Sequence, residues 1–430
     1  MNKHFCYTAL ALSVGCVSWT GLASAEEGGF LEDASVTLEA KNYYFMRDFS
    51  SLRGPGGQRV ANGQSKSEEW AQGFILNAKS GYTPGTVGVG LDAIAMLGIK
   101  LDSSADRTNT GLLPRRASGK APGEFSRAGV AVKLRLSKTE LKVGEQMPSL
   151  PVLSFSPVRL LPPTYLGASL VSREIKGLTL QAGQFRSGSM VNRAGRSKMN
   201  AKIGYQPKLA AGTASDRFNY AGADYTFNDN RTSLGVWHAQ LRDIYKQNFY
   251  SFKHSEPVGN WVLGANLGVY DSKEDGSKLL GKIDNRAFFS LLSAKYGGST
   301  FFVGYQSMHG RDGMPRVFNN ITPLGNEIPT YEFADPQERS WQVRHDYDFT
   351  QAGIPGLVST VRYIRGSNIK RAAGLSRGKE WERDLDLGYK IQSGLLKDLS
   401  LRLRNVRARS NNRTGIDENR LIVSYTWKLM

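Results

Sequence analysis

The chain has 430 residues and a formal net charge of +18, from 56 lysines and arginines against 38 aspartates and glutamates. Its two cysteines, Cys6 and Cys16, both fall within the first 25 residues, so a chain that begins after them has no thiol for disulfides or thiolate metal sites. No later stretch offers the roughly 18 consecutive apolar residues of a membrane-spanning helix. Composition therefore excludes a disulfide-stabilised scaffold and a helical membrane protein, but it allows a membrane β-barrel.

The start of the chain is typical of an export signal. A basic start at Lys3 and an apolar run precede a small-x-small cleavage site that ends at Ala25. Lipid attachment at Cys16 is the weaker alternative, because the preceding residues match a lipid-attachment motif poorly. We therefore expect residues 1–25 to be a signal peptide and residues 26–430 to form a single barrel domain.

Segments in which apolar and polar residues alternate recur along the whole chain. In residues 130–136, the apolar side chains of Val132 and Leu134 share one face. Lys133 and Arg135 come between and after them and share the opposite face. The side-chain period of a strand is two, so each such segment has one apolar and one polar face. The alternating segments fall at residues 87–93, 130–136, 221–227, 261–269, 301–306 and 421–429.

Polar stretches of two lengths separate these segments. Some are short turns, such as residues 227–230, whereas others are long and irregular, at residues 47–67, 103–123 and 310–339. Short turns at one end and long loops at the other are typical of bacterial outer-membrane barrels. A sheet in lipid must close, because every backbone polar group needs a partner there. At roughly 22 residues per strand, the chain predicts an all-β, antiparallel transmembrane barrel of about 18 strands.

A proline-rich segment, residues 141–167, follows one of the clearest predicted strands. Proline lacks a backbone N–H and is expelled from central strands, so we predict an ordered, rigid loop here. A stiff loop in a barrel of this size folds inward and narrows the pore. Arg159 is then a candidate for the eyelet, although anchoring of the loop to the wall explains this arginine equally well. Ser154, Ser156 and Tyr165 are further eyelet candidates.

Cations recur on the polar faces of several predicted strands. Each alone is most simply a solvated residue, but together they would line one lumen, where rings of Arg and Lys favour anions and low-dielectric walls focus the field. Acids share the same faces, so the predicted lumen is polarised; they are Asp224, Asp346, Asp384 and Asp386. The predicted basic ladder consists of Lys133, Arg135, Arg344, Arg362, Arg402 and Arg404.

The segment LSLRLRNVRARS, residues 399–410, contains four arginines. Leucine occupies every second position at its start, so Arg402 and Arg404 fall on the polar face. Arg407 and Arg409 have the opposite parity, which predicts either a bulge in the middle of the strand or its exit from the apolar band. A nucleic-acid-binding arm is disfavoured, because arginines spread over several strands do not form a patch that tracks a groove.

The sequence offers no catalytic constellation. GVGLDA, residues 88–93, matches a dinucleotide-binding pattern, but that motif needs a strand-to-helix turn, and strand alternation continues through these glycines. The later histidines are isolated and lack cysteine partners, so we expect neither a metal nor a cofactor. The protein is predicted not to be an enzyme. A membrane-surface hydrolase with a Ser/His pair and a general, weakly anion-selective porin stay open as alternatives.

Longer motifs resemble a known family. They include FLEDASVTLEAKNYYFMRDF near the start, RLLPPTYLGASLVSREIKGLTLQAGQF in the middle, and QSGLLKDLSLRLRNVRARS with DENRLIVSY near the end. Together they resemble the OprD-type, or Occ, carboxylate-specific outer-membrane channels of pseudomonads over nearly the whole chain. The resemblance implies a Gram-negative outer-membrane porin of 18 strands, monomeric or weakly trimeric, whose third extracellular loop folds into the pore.

By position, the resemblance assigns Lys133, Arg135 and the two arginines of LRLR to a basic ladder that guides small carboxylates towards an eyelet. It assigns residues 145–165 to the constricting loop. The implied partners are small anionic solutes and outer-membrane lipid, without nucleic acid. The chain departs from the family at residues 156–158, where an acidic or Asn-Asp element is common. The missing acid favours simple or aromatic carboxylates over basic amino acids as solutes.

Overall fold

The computed structural model describes residues 29–50, 63–204, 213–317, 320–321, 324–326 and 330–430. The predicted signal peptide, residues 1–25, lies outside the described residues. Within the described ranges, the regular structure is β-strand apart from one 3-10 turn at Phe349–Ala352. None of the helical structure there is long and apolar enough to cross a membrane.

The described residues form 22 strands. Eighteen of them belong to one large sheet, while β6 pairs with β7 and β10 pairs with β17 in two small separate sheets. The strands are β1 (Ser35–Ser50), β2 (Lys66–Lys79), β3 (Val87–Asp102), β4 (Glu124–Leu136), β5 (Thr139–Gln146), β6 (Ser149–Leu150), β7 (Leu153–Ser154), β8 (Thr164–Ser172), β9 (Leu178–Ser189), β10 (Ala201–Ile203), β11 (Phe218–Phe227), β12 (Thr232–Leu241), β13 (Tyr245–Val258), β14 (Trp261–Glu274), β15 (Asp284–Tyr296), β16 (Ser299–Gly310), β17 (Pro315–Val317), β18 (Arg339–Asp348), β19 (Leu357–Ile369), β20 (Gly378–Lys390), β21 (Ser400–Ser410) and β22 (Gly415–Lys428).

The large sheet closes on itself. β1 pairs with β2 on one side and with β22 on the other, so the first and last strands meet. Each remaining strand of this sheet is antiparallel to its neighbours, which are the preceding and the following barrel strands along the chain. Closure leaves no open sheet edge in lipid, where each unsatisfied backbone group costs several kcal/mol. The predicted all-β barrel of 18 strands is confirmed.

The strands alternate between lipid and lumen as predicted. On β21, Leu401 and Leu403 are exposed on the outside, whereas the side chain of Arg404 is buried on the inside. Pairing of β21 with β20 and β22 runs without a register shift, so the strand contains no bulge. Arg407 and Arg409 therefore keep the outward parity of the leucines and lie beyond the apolar band.

Aromatic side chains border the lipid-facing band. The rings of Trp341 and Tyr363 lie 5.7 Å apart between centroids, and those of Tyr363 and Trp381 lie 6.1 Å apart. Such girdles mark the level of the lipid head groups. The long connections all follow strands that run towards this end of the barrel, which is the extracellular end in bacterial barrels; they are residues 51–65, 103–123, 147–163, 190–217 and 311–338.

The described parts of three long connections pack inside the barrel. The β10–β17 pair joins residues 190–217 to residues 311–338, with Ala201 opposite Val317. Both connections share a buried apolar cluster with residues 147–163, to which Leu153 belongs. The lumen is therefore narrowed by loops that are packed against each other and against the wall.

Arg127, on the lumen side of β4, ties two of these loops to the wall. Its guanidinium group donates hydrogen bonds to the backbone carbonyls of Met190 (2.7 Å) and Arg193 (2.8 Å) in one loop and of Pro162 in another. Charge-assisted bonds of this kind are the stronger class of protein hydrogen bonds. Anchoring of the proline-rich loop is thus a role of the wall residue Arg127.

Replacing Arg127 with Met should release the loops without opening the barrel. Three carbonyls would lose their donor, at a cost of about 2–4 kcal/mol to the packed loops. Limited proteolysis followed by mass spectrometry should find faster cleavage near residues 150–163 and 190–200. The control Arg186→Met removes an exposed outward arginine that, in the described part of the chain, donates within its own strand, to Gln184. Cleavage of the Arg127 variant at the wild-type rate would contradict the anchoring role.

Candidate functional site at the loop-lined constriction

The constriction loop, residues 147–163, crosses the lumen from one wall to the other. Near its start, the hydroxyl of Tyr270 on β14 donates to the carbonyl of Pro151 (3.0 Å). Near its end, the hydroxyl of Tyr43 on β1 donates to the carbonyl of Val158 (3.1 Å). β1 and β14 lie on nearly opposite sides of the 18-stranded ring. The predicted inward-folded loop is confirmed.

Three of the predicted eyelet residues lie within the packing of the loops. Ser154 and Ser156 are almost fully buried, and Tyr165 is completely buried. Ser154 forms an isolated antiparallel bridge with Ile321. The side-chain amide of Asn320 donates to the Tyr165 hydroxyl. These contacts join the constriction loop and its following strand to the connection 311–338.

Arg159 belongs to a cluster of guanidinium groups around one aromatic ring. The guanidinium carbon of Arg420 on β22 lies 4.4 Å from the ring centroid of Phe45 on β1. The corresponding distances are 4.6 Å for Arg47 and 5.2 Å for Arg159. Cations are attracted to the face of an aromatic ring, which helps to hold three like charges together. We call Phe45, Arg47, Arg159 and Arg420 the Phe45 cluster.

Among the described residues, one carboxylate pairs with the arginines of this cluster. Glu418 accepts a hydrogen bond from Nε of Arg47 (2.7 Å) and another from Nε of Arg420. In the described part of the chain, Arg159 donates to the carbonyl of Val158 (3.2 Å) and forms a salt bridge with no carboxylate. Burial, reinforced by the positive charges of Arg420 and Arg47, lowers the pKa of Arg159 from its usual value to about 9. At neutral pH, below this pKa, Arg159 keeps a positive charge that no carboxylate in the described part of the chain pairs with.

Two predicted ladder residues extend the cluster along the wall. Arg404 lies directly opposite Arg420 in the β21–β22 pair. Nε of Arg402 and Nε of Arg404 both donate to Asp386 on β20, at 2.7 and 2.6 Å. With the Phe45 cluster they form what we call the arginine track, which among the described residues contains five arginines and two carboxylates. The track consists of Arg402, Arg404, Arg420, Arg47 and Arg159, with Asp386 and Glu418.

The other predicted arginines of the ladder are paired one to one. Nε of Arg344 donates to Asp346 (2.7 Å), and Nε of Arg362 donates to Asp384 (2.9 Å). Arg344 and Arg362 lie opposite each other in the β18–β19 pair. Because each arginine has its own carboxylate, this group adds little net charge to the lumen.

The predicted cations of β4 form a third, separate group. Nζ of Lys133 lies 2.8 Å from Asp92, which also binds Nζ of Lys142 on β5 at 2.6 Å. The guanidinium carbon of Arg135 lies 4.2 Å from the ring centroid of Tyr82. The structure thus brings Arg402 and Arg404 into the track and divides the remaining four predicted ladder residues between two other places on the wall.

Sequence reasoning missed Arg420, Lys142 and Arg47. Arg420 precedes the outward Leu421 in DENRLIVSY. The same alternation that places Arg404 on the inward face therefore places Arg420 there too. Lys142 precedes Val143 in the same way. Arg47 was missed because residues 47–67 were predicted to form a loop, whereas β1 continues to Ser50. Both faces of YYFMRDF carry aromatic or apolar residues, so alternation does not indicate where the strand ends.

The arginine track has the chemistry of a carboxylate-binding surface. A planar guanidinium group binds a carboxylate through two parallel N–H···O bonds, which a simple point charge does not match. Among the described residues, no group of three His, Cys, Asp or Glu side chains is arranged to hold a metal ion. The arginines of the track can therefore attract, orient and release small anions.

Comparison with known proteins agrees with this architecture. The sequence matches the family described as outer membrane porin, OprD family, over residues 28–429. The chain belongs to the OprD family. Its relative in Pseudomonas putida, the porin-like protein GalP, is 44% identical over 408 residues, which cover 94% of each chain. The protein is therefore an outer-membrane channel, and its relatives are porins, as the sequence motifs predicted.

Two solved structures of Pseudomonas aeruginosa porins resemble this OprD-family chain closely. OpdK, crystallised with vanillate, is 46% identical with a TM-score of 0.85, and the match covers 93% of this chain and 100% of OpdK. OccK2, in complex with glucuronate, is 42% identical with a TM-score of 0.82, and the match covers 94% of this chain and 99% of OccK2. At these identities and coverages, both porins share the fold of nearly the whole chain.

Arg159 has no carboxylate partner in the described part of the chain, which predicts that its charge contributes to the preference for anions. At neutral pH Arg159 is protonated, so the test removes its charge by substitution. The permeability ratio of benzoate over the accompanying cation, from reversal potentials in planar bilayers, should fall about fivefold in Arg159→Met. In Arg159→Lys, which keeps a positive charge, the fall should be much smaller. An equal fall in both proteins would contradict the assignment.

Proposed function

We propose that this OprD-family porin is a substrate-preferring diffusion channel for small carboxylates, which the arginine track guides past the constriction loop. The observation that carries the proposal is the charge of the track, five arginines against two carboxylates, where the loop crosses the lumen. Arginine rings in pores favour anions, and low-dielectric walls strengthen their field. A general, weakly anion-selective porin stays the alternative, and the solute preference measured below distinguishes the two functions.

Simple or aromatic carboxylates fit this site better than amino acids do. Asp386 and Glu418, the two carboxylates of the track, each already accept hydrogen bonds from two arginines. An ammonium group therefore finds no uncommitted acid within the track. OpdK holds vanillate and OccK2 holds glucuronate. Both ligands are small carboxylates, which supports the same class of solute for this relative.

The order of the arginines suits stepwise movement. Arg159 lies in the loop, Arg420 on the adjoining wall, and Arg404 and Arg402 follow along β21 towards the end with the short turns. Conduction needs sites that attract an ion but hold it weakly enough to release it to the next. Partial compensation by Asp386 and Glu418 provides this balance, since neither carboxylate neutralises both of the arginines that it contacts.

The net charge of the track can be tested by removing the LRLR arginines together with their acid. Arg402→Gln, Arg404→Gln and Asp386→Asn remove one net positive charge and leave no buried carboxylate unpaired. Benzoate uptake in liposome swelling should fall about tenfold, equivalent to about 1.4 kcal/mol. The matched control, Arg344→Gln with Asp346→Asn, removes a paired cation without changing the net charge, and uptake should stay within about twofold. Equal losses in both would exclude net charge as the cause.

The constriction loop can be tested by shortening it. Replacing residues 149–157 with a short Gly-Ser linker should raise single-channel conductance and weaken the preference for benzoate over chloride, because the loop narrows the lumen between opposite walls. Deletion of the exposed residues 372–375, in the connection between β19 and β20, serves as control and should leave conductance unchanged. An unchanged conductance in the loop variant would place the constriction elsewhere.

A further inference from the structure

A second group of cations lies on the outside of the barrel, on the outward face of β18–β22. Arg365 on β19 lies between Trp341 on β18 and Trp381 on β20 in the strand register. One row closer to the apolar band, Arg383 on β20 lies opposite Arg407 on β21. We call the whole group the outer basic face; it consists of Arg339, Arg365, Lys379, Arg383, Arg407 and Arg409.

These cations begin where the apolar band ends. Farther down the same outward faces lie Val361, Leu385 and Leu403, which are exposed to the lipid side. The girdle of Trp341, Tyr363 and Trp381 lies at the level of the cations. Because such girdles mark the head-group region, the outer basic face projects into the head groups at the long-loop end of the barrel, which is the outer leaflet.

Few carboxylates lie near the six cations of the outer basic face. On the outward faces of β18–β22, all of which are described, the one acidic residue is Asp417. It pairs with Arg409 at 2.6 Å and lies 3.6 Å from Arg407. Arg383 donates to the side-chain oxygen of Asn405 (2.8 Å), which is neutral. Six cations thus face the membrane with one acid among them.

The excess of cations over acids is greater on β18–β22 than on another described part of the outer surface. On the outward faces of β13–β15, Lys246, Lys273 and Arg286 share their surface with Asp271 and Asp284. Nε of Arg286 lies 3.4 Å from Asp271. Cations and acids nearly balance there, so the charge of the outer basic face is not a general property of the rim.

We propose that the outer basic face binds the phosphorylated head group of a glycolipid in the outer leaflet. Guanidinium groups match phosphate oxygens through parallel hydrogen bonds, and cations at an anionic membrane surface each strengthen the attraction. The acyl chains of the same lipid pack on the apolar band directly below. A second copy of the barrel is a poorer occupant, because a symmetric contact would bring like charges together. The proposal is independent of what passes through the lumen.

The test uses purified full-length protein in detergent and lipid A as the probe, with bound lipid counted by native mass spectrometry. The variant Arg365→Gln, Arg383→Gln and Arg407→Gln should bind bisphosphorylated lipid A about a hundredfold more weakly than wild type. The matched control Lys246→Gln, Lys273→Gln and Arg286→Gln should retain wild-type affinity. Reversal potentials under a benzoate gradient should be unchanged in both, since these side chains lie outside the lumen, and this also verifies folding.

Further measurements show whether the phosphate groups of lipid A are recognised. Dephosphorylated lipid A should bind wild type as weakly as bisphosphorylated lipid A binds the variant. Binding should survive chelation of divalent cations, because the arginines themselves supply the charge. Equal affinity for dephosphorylated lipid A, or equal losses in the two triple variants, would overturn the proposal. Displacement of lipid A by millimolar inorganic phosphate would show a free-anion site instead. A change of oligomeric state without a change in lipid binding would assign the face to barrel contacts.

Discussion

Backbone hydrogen bonds between neighbouring strands hold the closed sheet of this barrel together. Lipid offers no partner for an N–H or C=O group, so each strand must be paired on both sides, and β1 achieves this by pairing with both β2 and β22. Closure also gives every strand an inside and an outside. A chain in which 22% of the residues are charged can then present an apolar surface to lipid, because its charges lie in the lumen or beyond the apolar band.

Charges inside the barrel are stabilised chiefly by each other. Arg344 with Asp346 and Arg362 with Asp384 each form a close pair, and loss of one member would leave a buried charge at a cost of several kcal/mol. Fully paired arginines make a stable wall but exert a weak field. The arginine track differs because its pairing is incomplete, and this difference is the basis of the selectivity that we propose for it.

One strand serves both of the charged surfaces. β21 sends Arg402 and Arg404 into the lumen from its lower half and Arg407 and Arg409 towards the head groups from its upper half, without a break in register. The inward positions of the upper half are taken by Val406 and Ala408, both completely buried. An outward arginine is tolerated there because the strand has left the apolar band, so the side chain meets polar head groups in place of acyl chains.

The barrel, its strand number, the inward loop and the face of each LRLR arginine can all be predicted from the amino-acid sequence. Period-two alternation, connection length and proline content are local properties, so they can be recognised in short segments of the chain. Which charges are neighbours depends instead on how distant segments come together in the folded barrel. Arg404 opposes Arg420, and Arg47 meets Arg159 over Phe45, because barrel closure and the path of the loop join segments far apart in the chain. Parity assigns a side chain to a face, but only register and closure determine what it contacts there.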